Sequence, residues 1–153
     1  MRNENSAVKT EEANLIVGCD GIHSNVRKQV TAVSKNEESL PRWTGITMLR
    51  GLTRMKHYLD GRTMLIIGPI HNEMVIYPIS KEVEDQDTGE ALVNWVALMR
   101  TANDKDDRVM PEKWNNEVRD IEKAMEPFKN FKYDYIDVPE MIRSAEKVYQ
   151  YPC

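Results

Sequence analysis

The chain has 153 residues, of which 41% are hydrophobic and 30% are charged, and its net charge is -4. These values predict one folded domain of ordinary size, argue against disorder, and argue against a nucleic-acid surface. The apolar runs are too short for a membrane span, and we expect no signal peptide at the first residues. Two distant cysteines predict free thiols in a reducing compartment, so we expect a soluble, cytoplasmic protein.

The first predicted elements are a short strand and a helix. The apolar run Leu15–Cys19 stops at Asp20-Gly21, which is typical of a buried parallel strand, with its cysteine acting as a small buried apolar residue. Ser24 is the expected N-cap of a helix over Asn25–Thr31. A polar connection follows, and we place a domain boundary there, between residues 1–38 and 39–153.

Four strand-like runs follow this boundary, and turn signals separate them. The runs are Thr44–Arg54, Arg62–Ile67, Glu73–Ile79 and Leu92–Arg100, and the turns are Asp60-Gly61, Gly68-Pro69 and Thr88-Gly89. Because parallel neighbours need long crossover connections, the short spacing between these runs predicts an antiparallel sheet.

Helices and a last strand are predicted after the sheet. A helix is expected over Pro111–Glu126, where Pro127 ends it, and its apolar stripe is expected to cover one sheet face. The residues of the stripe are Trp114, Val118, Ile121 and Met125. A short helix over Pro139–Ala145 and a strand over Lys147–Tyr151 complete the pattern.

The predicted fold class is α+β. An antiparallel sheet with packed helices occupies residues 39–153, and a βα piece of a Rossmann-like domain precedes it. A lone parallel strand has no partner in its own unit, so this piece is expected to belong to a larger doubly wound sheet. We therefore interpret the chain as a segment of a longer protein.

The opening motif resembles the Asp-Gly motif of the single-component FAD-dependent aromatic hydroxylases, the family of salicylate and p-hydroxybenzoate hydroxylases. The matching residues are Asp20, Gly21, Ser24 and Arg27, at the spacing of the family. The resemblance continues through Thr44-Gly45, Arg50-Gly51, Gly68-Pro69, Tyr77-Pro78-Ile79 and Asn94-Trp95-Val96. It covers most of residues 14–97.

The resemblance implies an enzyme that uses FAD, NAD(P)H and dioxygen to hydroxylate an aromatic or related ring compound. The family's N-terminal Gly-x-Gly-x-x-Gly motif and its later Gly-Asp motif do not occur in this sequence. We therefore expect the isolated chain to be inactive and to bind FAD weakly or not at all. The alternative is a non-catalytic remnant or a binding module without flavin.

Two interpretations stay open for the Asp-Gly stretch on physical grounds. Ligands of open α/β sheets bind beyond the carboxyl ends of strands, where Gly21 would admit a dinucleotide backbone and Arg27 a phosphate. In the other interpretation Asp20 and Gly21 form a turn and Arg27 is a solvated helix residue. The resemblance favours contact with FAD and NAD(P)H.

Three residues of the predicted sheet are further candidates. Arg50 lies in an apolar strand and is either a sheet-face arginine with a packed stem or, by resemblance, a residue near the flavin. Tyr77 is either a core tyrosine or a wall of the substrate pocket. Glu73 stands four residues before Tyr77, where related hydroxylases often carry a histidine, and His71 lies two residues earlier.

The predicted site residues fall into two groups, those that contact the cofactor and those that contact the substrate. Cofactor contacts are assigned to Asp20, Gly21, Arg27 and Arg50, and substrate contacts to Tyr77 and Glu73. No metal site and no catalytic side chain are predicted, because the flavin supplies the chemistry. The expected partner is a small aromatic substrate, without nucleic acid or a membrane span, and homodimer formation is left open.

Overall fold

The computed structural model describes residues 9–34, 42–80, 89–101 and 116–153. The chain divides into two compact units, Met1–Pro41 and Arg42–Cys153. In the described ranges, no helix combines the length and the apolar character that a membrane crossing requires.

The first unit contains one helix. Helix α1 spans Asn25–Ser34, which confirms the predicted helix and extends it by one turn. The predicted strand over Leu15–Cys19 is wrong, because this segment has no regular structure and its apolar side chains are exposed, with Leu15 78% accessible. Cys19 is also exposed, contrary to its predicted burial. The physical reason is that a parallel strand needs a neighbour to pair with, and the described part of this unit offers none.

The second unit is built on an antiparallel sheet of six strands in the order β2-β3-β4-β1-β8-β5. Its strands are β1 (Ile46–Lys56), β2 (Leu65–Ile67), β3 (Asn72–Ser80), β4 (Glu90–Arg100), β5 (Asn116–Glu117) and β8 (Val148–Pro152). A separate two-stranded sheet joins β6 (Lys132–Tyr133) and β7 (Ile136–Asp137). The four strands predicted in the middle of the sequence and the strand predicted near Tyr151 are confirmed, whereas β5, β6 and β7 were not predicted.

One face of the sheet forms the core. Side chains alternate along β1 and β4, so that Leu49, Val93, Trp95 and Ala97 lie on the buried face. Helix α2 (Ile121–Met125), the 3₁₀ turn Glu126–Phe128 and helix α3 (Val138–Arg143) supply the rest of the core, namely Met125, Phe128, Met141 and Ile142. Each large apolar side chain buried here contributes about 1.5–3 kcal/mol.

A hydrogen-bond relay joins the sheet to α3 inside this core. Trp95 Nε1 donates to Thr53 Oγ1 at 3.0 Å, and Thr53 Oγ1 donates to the Met141 carbonyl at 2.7 Å. The indole lies directly across from Gly51 in the β1–β4 pairing. A Cβ at Gly51 would lie 2.3 Å from Trp95 Cζ2, so only glycine leaves space for the ring.

The helix predicted over Pro111–Glu126 is confirmed only over Ile121–Met125, and it is wrong over the described residues 116–120. Asn116–Glu117 form strand β5, which pairs with β8, and the helix begins only after Asp120, whose carboxylate accepts the Lys123 amide at 3.0 Å. The spacing of the apolar residues favours one continuous helix. Pairing of Asn116–Glu117 with the edge of β8 and the cap by Asp120 instead make the helix begin later. The helix ends at Met125, and the following 3₁₀ turn contains Pro127. Trp114 lies outside the described residues, whereas Val118 and Ile121 pack against the core as predicted.

The helix predicted over Pro139–Ala145 is confirmed as α3. Its start is fixed by Asp137, whose carboxylate accepts the Glu140 amide at 3.0 Å. An ion pair from Arg143 Nε to Glu122 Oε1, 2.6 Å long, ties α3 to α2 on the surface.

The β1–β2 connection encloses a buried tyrosine. The single hydrogen of the Tyr58 hydroxyl is shared between the carbonyls of Thr63 (2.8 Å) and Ile76 (3.2 Å). The predicted Asp60-Gly61 turn is closed by the Asp60 carboxylate, which accepts the amides of Arg62 and Thr63. Burial, and secondly the negative charge of Asp60, raise the pKa of Tyr58 to about 12. Tyr58 therefore stays neutral and hydrogen-bonded at ordinary pH.

Candidate functional site

The Asp20 carboxylate caps helix α1. It accepts the amide of Asn25 at 2.6 Å, the amide of Val26 at 3.2 Å and the Ser24 hydroxyl. Ser24 Oγ in turn accepts the Arg27 amide at 2.9 Å, which confirms Ser24 as the N-cap. These donors, the Ser24 hydroxyl first, lower the pKa of Asp20 below its ordinary value, so the carboxylate is ionised at neutral pH.

Gly21 and Arg27 complete this loop. Gly21 has φ +79°, and no atom lies within 4 Å of the place where a Cβ would stand, so its backbone is open to approach. Arg27 Nη2 donates to the Ile22 carbonyl, which holds the guanidinium over the loop. Its Nε is buried and has no hydrogen-bond partner among the described residues. The loop therefore forms a turn and a helix cap, and the buried Nε of Arg27 is left without an acceptor in the described part of the chain.

The second unit places Arg50, Tyr77 and Glu73 on one face of the sheet, the face opposite the core. In the strand registers, Arg50 lies across from Val96, Tyr77 across from Asn94 and Glu73 across from Leu98. We call this accessible face of β1, β3, β4 and β8 the open face. Tyr77 and Glu73 are four residues apart on β3, about 13 Å along the strand. Through Val96 on β4, Arg50 is level with Val75, which lies midway between them.

Asn94 holds Arg50 on the open face. Arg50 Nε donates to Asn94 Oδ1 at 3.2 Å, and Asn94 is only 1% exposed. The Nδ2 of Asn94 is buried without a partner in the described part of the chain. The sequence analysis named Asn94 only as part of a family motif and not as a site residue. The signal that could have identified it as one is its polar amide inside the apolar run Leu92–Leu98.

A groove of about 770 Å³ lies on the open face beside Arg50. We call it the β1–β8 groove, and its lining includes Arg50, Arg54, Lys147, Leu92, Tyr149 and Tyr151. Tyr149 lies directly across from Arg50 in the β1–β8 pairing. Tyr77 and Glu73 do not line this groove, and sequence reasoning did not identify Arg54, Lys147 or Tyr149 as site residues.

Comparison with known proteins shows the family. A family model described as FAD binding domain matches residues 1–130. The chain belongs to the FAD-dependent aromatic hydroxylase family. Among curated proteins, phenazine 1,6-dicarboxylic acid hydroxylase PhzS of Lysobacter antibioticus is 30% identical over 142 residues, which are 92% of this chain and 33% of that protein. The chain thus spans about a third of the length of this hydroxylase.

The two units differ in the groups that they offer to a ligand. The family match covers α1 and the sheet strands β1–β5. In the first unit the polar groups are engaged mainly with the loop itself, apart from Arg27 Nε and the open backbone of Gly21. In the second unit, cationic and aromatic side chains line an accessible groove. The second unit is therefore the better candidate for contact with a small ligand.

Proposed function

We propose that this chain is part of a FAD-dependent monooxygenase that hydroxylates an aromatic or related ring compound with NAD(P)H and dioxygen. In this proposal residues 1–38 belong to the cofactor-binding part and residues 39–153 to the substrate-binding part. The observation that carries the proposal is Arg50, held by Asn94 on the open face of a sheet in a chain of the FAD-dependent hydroxylase family.

The first unit is proposed to contact the cofactor through Gly21 and Arg27. The space around Gly21 would let a dinucleotide approach the backbone closely, and Arg27 Nε would donate a charge-assisted bond to a phosphate or hydroxyl oxygen. Asp20 already accepts three hydrogen bonds, so its role is to hold the loop in shape. When bound, FAD supplies the redox chemistry, taking electrons from NAD(P)H and activating dioxygen.

The open face of the second unit is proposed to hold the substrate ring and to keep water from it. Arg50 would contact the flavin, because its guanidinium is exposed while its Nε is fixed by Asn94. Tyr77, which is only partly buried, would contact the ring, and Glu73 would contact a polar substituent. Such placement contributes to catalysis by orientation and by exclusion of water.

The second candidate function is a binding module without flavin. It is favoured by one sequence observation, the lack of the Gly-x-Gly-x-x-Gly and Gly-Asp motifs among these 153 residues. In the family these motifs hold the FAD diphosphate on a helix N-terminus and contact the ribityl portion. We therefore expect this chain to bind FAD weakly, and a titration followed by flavin fluorescence measures it. Stoichiometric binding at micromolar FAD would show that these residues are sufficient for the cofactor.

Oxygen transfer distinguishes the two functions. The complete reading frame that contains this chain is expressed, and the purified protein is examined for bound FAD. It is then supplied with NAD(P)H, ¹⁸O₂ and an aromatic acid, starting with phenazine 1,6-dicarboxylic acid because PhzS is named for it. The monooxygenase proposal requires bound flavin and one labelled oxygen atom in the product. A flavin-free protein that does not oxidise NAD(P)H would leave the binding module. NAD(P)H oxidation with no label in any product would instead contradict oxygen transfer to the compound supplied.

A further inference from the structure

We propose that the edge strand β2 pairs antiparallel with β2 of a second copy of this chain, so that the two sheets join edge to edge. This inference goes beyond the proposed function, because it concerns assembly and not the ligands of the open face. It rests on the exposed apolar residues of this edge and on two unpaired charges, Arg62 and Glu73, that a second copy would bring together.

β2 is an edge strand without the usual protecting charges. It is the outermost strand of the six-stranded sheet, and among the described residues none pairs with its outer side. No charged residue occurs from Thr63 through Ile70. Edge strands are commonly protected from association by charged side chains, and the opposite edge, β5, carries Glu117 and is followed by Arg119. The two edges of this sheet therefore differ, and β2 is the edge suited to pairing.

The apolar side chains along this edge are accessible. Ile66 is 65% exposed, Met64 57% and Ile70 77%. Leu65 and Ile67 pack against the core, so by alternation Ile66 points to the accessible side of the sheet. A two-fold axis through Ile66 would place the Ile66 side chains of the two copies beside each other and Met64 of each copy next to the β2–β3 turn of the other. Apolar surface that water covers in the monomer would thus be buried.

Arg62 and Glu73 supply the charge complementarity for a second copy. Neither forms an ion pair with another residue in the part of the chain that the structure describes. The β2–β3 register, continued by one residue, places Glu73 level with Gly68. With the two-fold axis at Ile66, Arg62 of the second copy would be level with Ile70. The Cα atoms of Glu73 and that arginine would then be about 12 Å apart, a distance that the two extended side chains bridge.

The symmetry of the pairing forms this Arg62–Glu73 contact twice. Both side chains lie on the same side of the sheet as Ile66, because strand side chains alternate. Electrostatic pairs of this kind fix the register of an association more than its strength, which the apolar edge would supply. The contact gives Glu73 a role at the outer rim of the sheet that replaces the substrate contact proposed above.

Sedimentation velocity of the 153-residue chain tests the pairing. We expect a monomer–dimer equilibrium between micromolar and millimolar protein. Ile66→Lys should raise the dissociation constant roughly tenfold or more, because two ammonium groups would lie side by side at the axis. Val30→Lys is the matched control, since Val30 is similarly exposed, at 60%, but lies on α1 in the other unit. It should leave the equilibrium unchanged.

Charge reversal tests the register. Arg62→Glu and Glu73→Arg should each weaken the dimer roughly tenfold, because each places like charges opposite one another. The double variant restores the pair with its signs exchanged and should recover most of the affinity. A general loss of structure would not be recovered by a second substitution, so the recovery reports the contact itself. If Glu73 contacted only a substrate, neither reversal would change the association.

Amide exchange locates the interface. The amides of Leu65–Ile67 that do not bond to β3 should become more protected as the protein concentration rises. A monomer at every concentration, a dimer that survives Ile66→Lys, or a double reversal without recovery would each overturn the proposal. Protection of the same amides in a monomeric product of the complete reading frame would also overturn it, because another part of one polypeptide would then cover the edge. The proposed function fails by different results, namely flavin content and labelled oxygen.

Discussion

Gly51→Ala perturbs the most crowded point between β1 and β4. The new Cβ would lie 2.3 Å from Cζ2 and 2.8 Å from Cε2 of Trp95, distances that real carbon contacts do not reach. Trp95 is fully buried, and its Nε1 is tied to Thr53, so the indole cannot move without breaking a buried hydrogen bond. Overpacking of this kind costs about 1–3 kcal/mol, and the broken bond adds about 1 kcal/mol. We expect the free energy of unfolding to fall by about 2–4 kcal/mol.

Urea denaturation followed by circular dichroism measures this change, and a double-mutant cycle tests its cause. Trp95→Phe removes the atoms that the new Cβ would meet, so Gly51→Ala should cost much less in that background. Gly89→Ala is the control, because Gly89 has φ +64° and open space around it. Its cost of about 1–2 kcal/mol comes from the backbone and should not change with Trp95→Phe. Additive effects of Gly51→Ala and Trp95→Phe would refute the steric reasoning.

Two further predictions concern ionisable groups. The pKa of Tyr58 is raised to about 12 from an unfolded value near 10, so its contribution to stability is complete below pH 10 and is lost as the pH rises towards 12. The free energy of unfolding should fall less between pH 10 and 12 in Tyr58→Phe than in the wild type. Identical pH profiles for the two proteins would contradict the raised pKa of Tyr58. Asp20→Ala removes the acceptor of the Asn25 and Val26 amides, while Ser24 still accepts the Arg27 amide, so we expect faster amide exchange at Asn25 and Val26. Since the pKa of Asp20 is lowered, the wild-type protection, measured against the intrinsic exchange rate at each pH, should be present at neutral pH and lost in acid. Protection that changes neither with pH nor with the substitution would disprove the cap.

The strands of the antiparallel sheet were predictable because the pattern that marks each strand is local. The turn residues, such as Gly68 with φ +109° and Gly61 with φ +70°, separate strand-like runs, of which β2, β3 and β4 pair in sequence order, whereas β1 pairs with β4. The failures involve partners that local patterns do not specify. Leu15–Cys19 has strand composition, but the described part of its unit offers no strand to pair with, and Asn116–Glu117 pair with a strand that lies more than 30 residues later.

The candidate site was predictable only in part for the same reason. Arg50 could be identified because it is a charge in an apolar strand, and Asp20 with Arg27 because their spacing resembles a family motif. Whether these residues contact a cofactor remains a prediction. The groove beside Arg50 depends on the pairing of β1 with β8, which brings Lys147 and Tyr149 close to residues that precede them by almost 100 positions. Sequence patterning placed those two residues in a strand but gave no information on its neighbour.

The position of β8 has a consequence for biosynthesis. β8 follows every other described strand in the chain, yet it lies beside β1, which precedes all the other described strands. Roughly 100 residues must be translated between them, which takes about 5–20 s at ordinary elongation rates. Throughout that interval one edge of β1 exposes unpaired backbone groups, including the stretch around Leu49 and Gly51. Such an edge is a template for intermolecular pairing, so the nascent chain is most vulnerable to aggregation, and most in need of a chaperone, shortly before β8 leaves the ribosome.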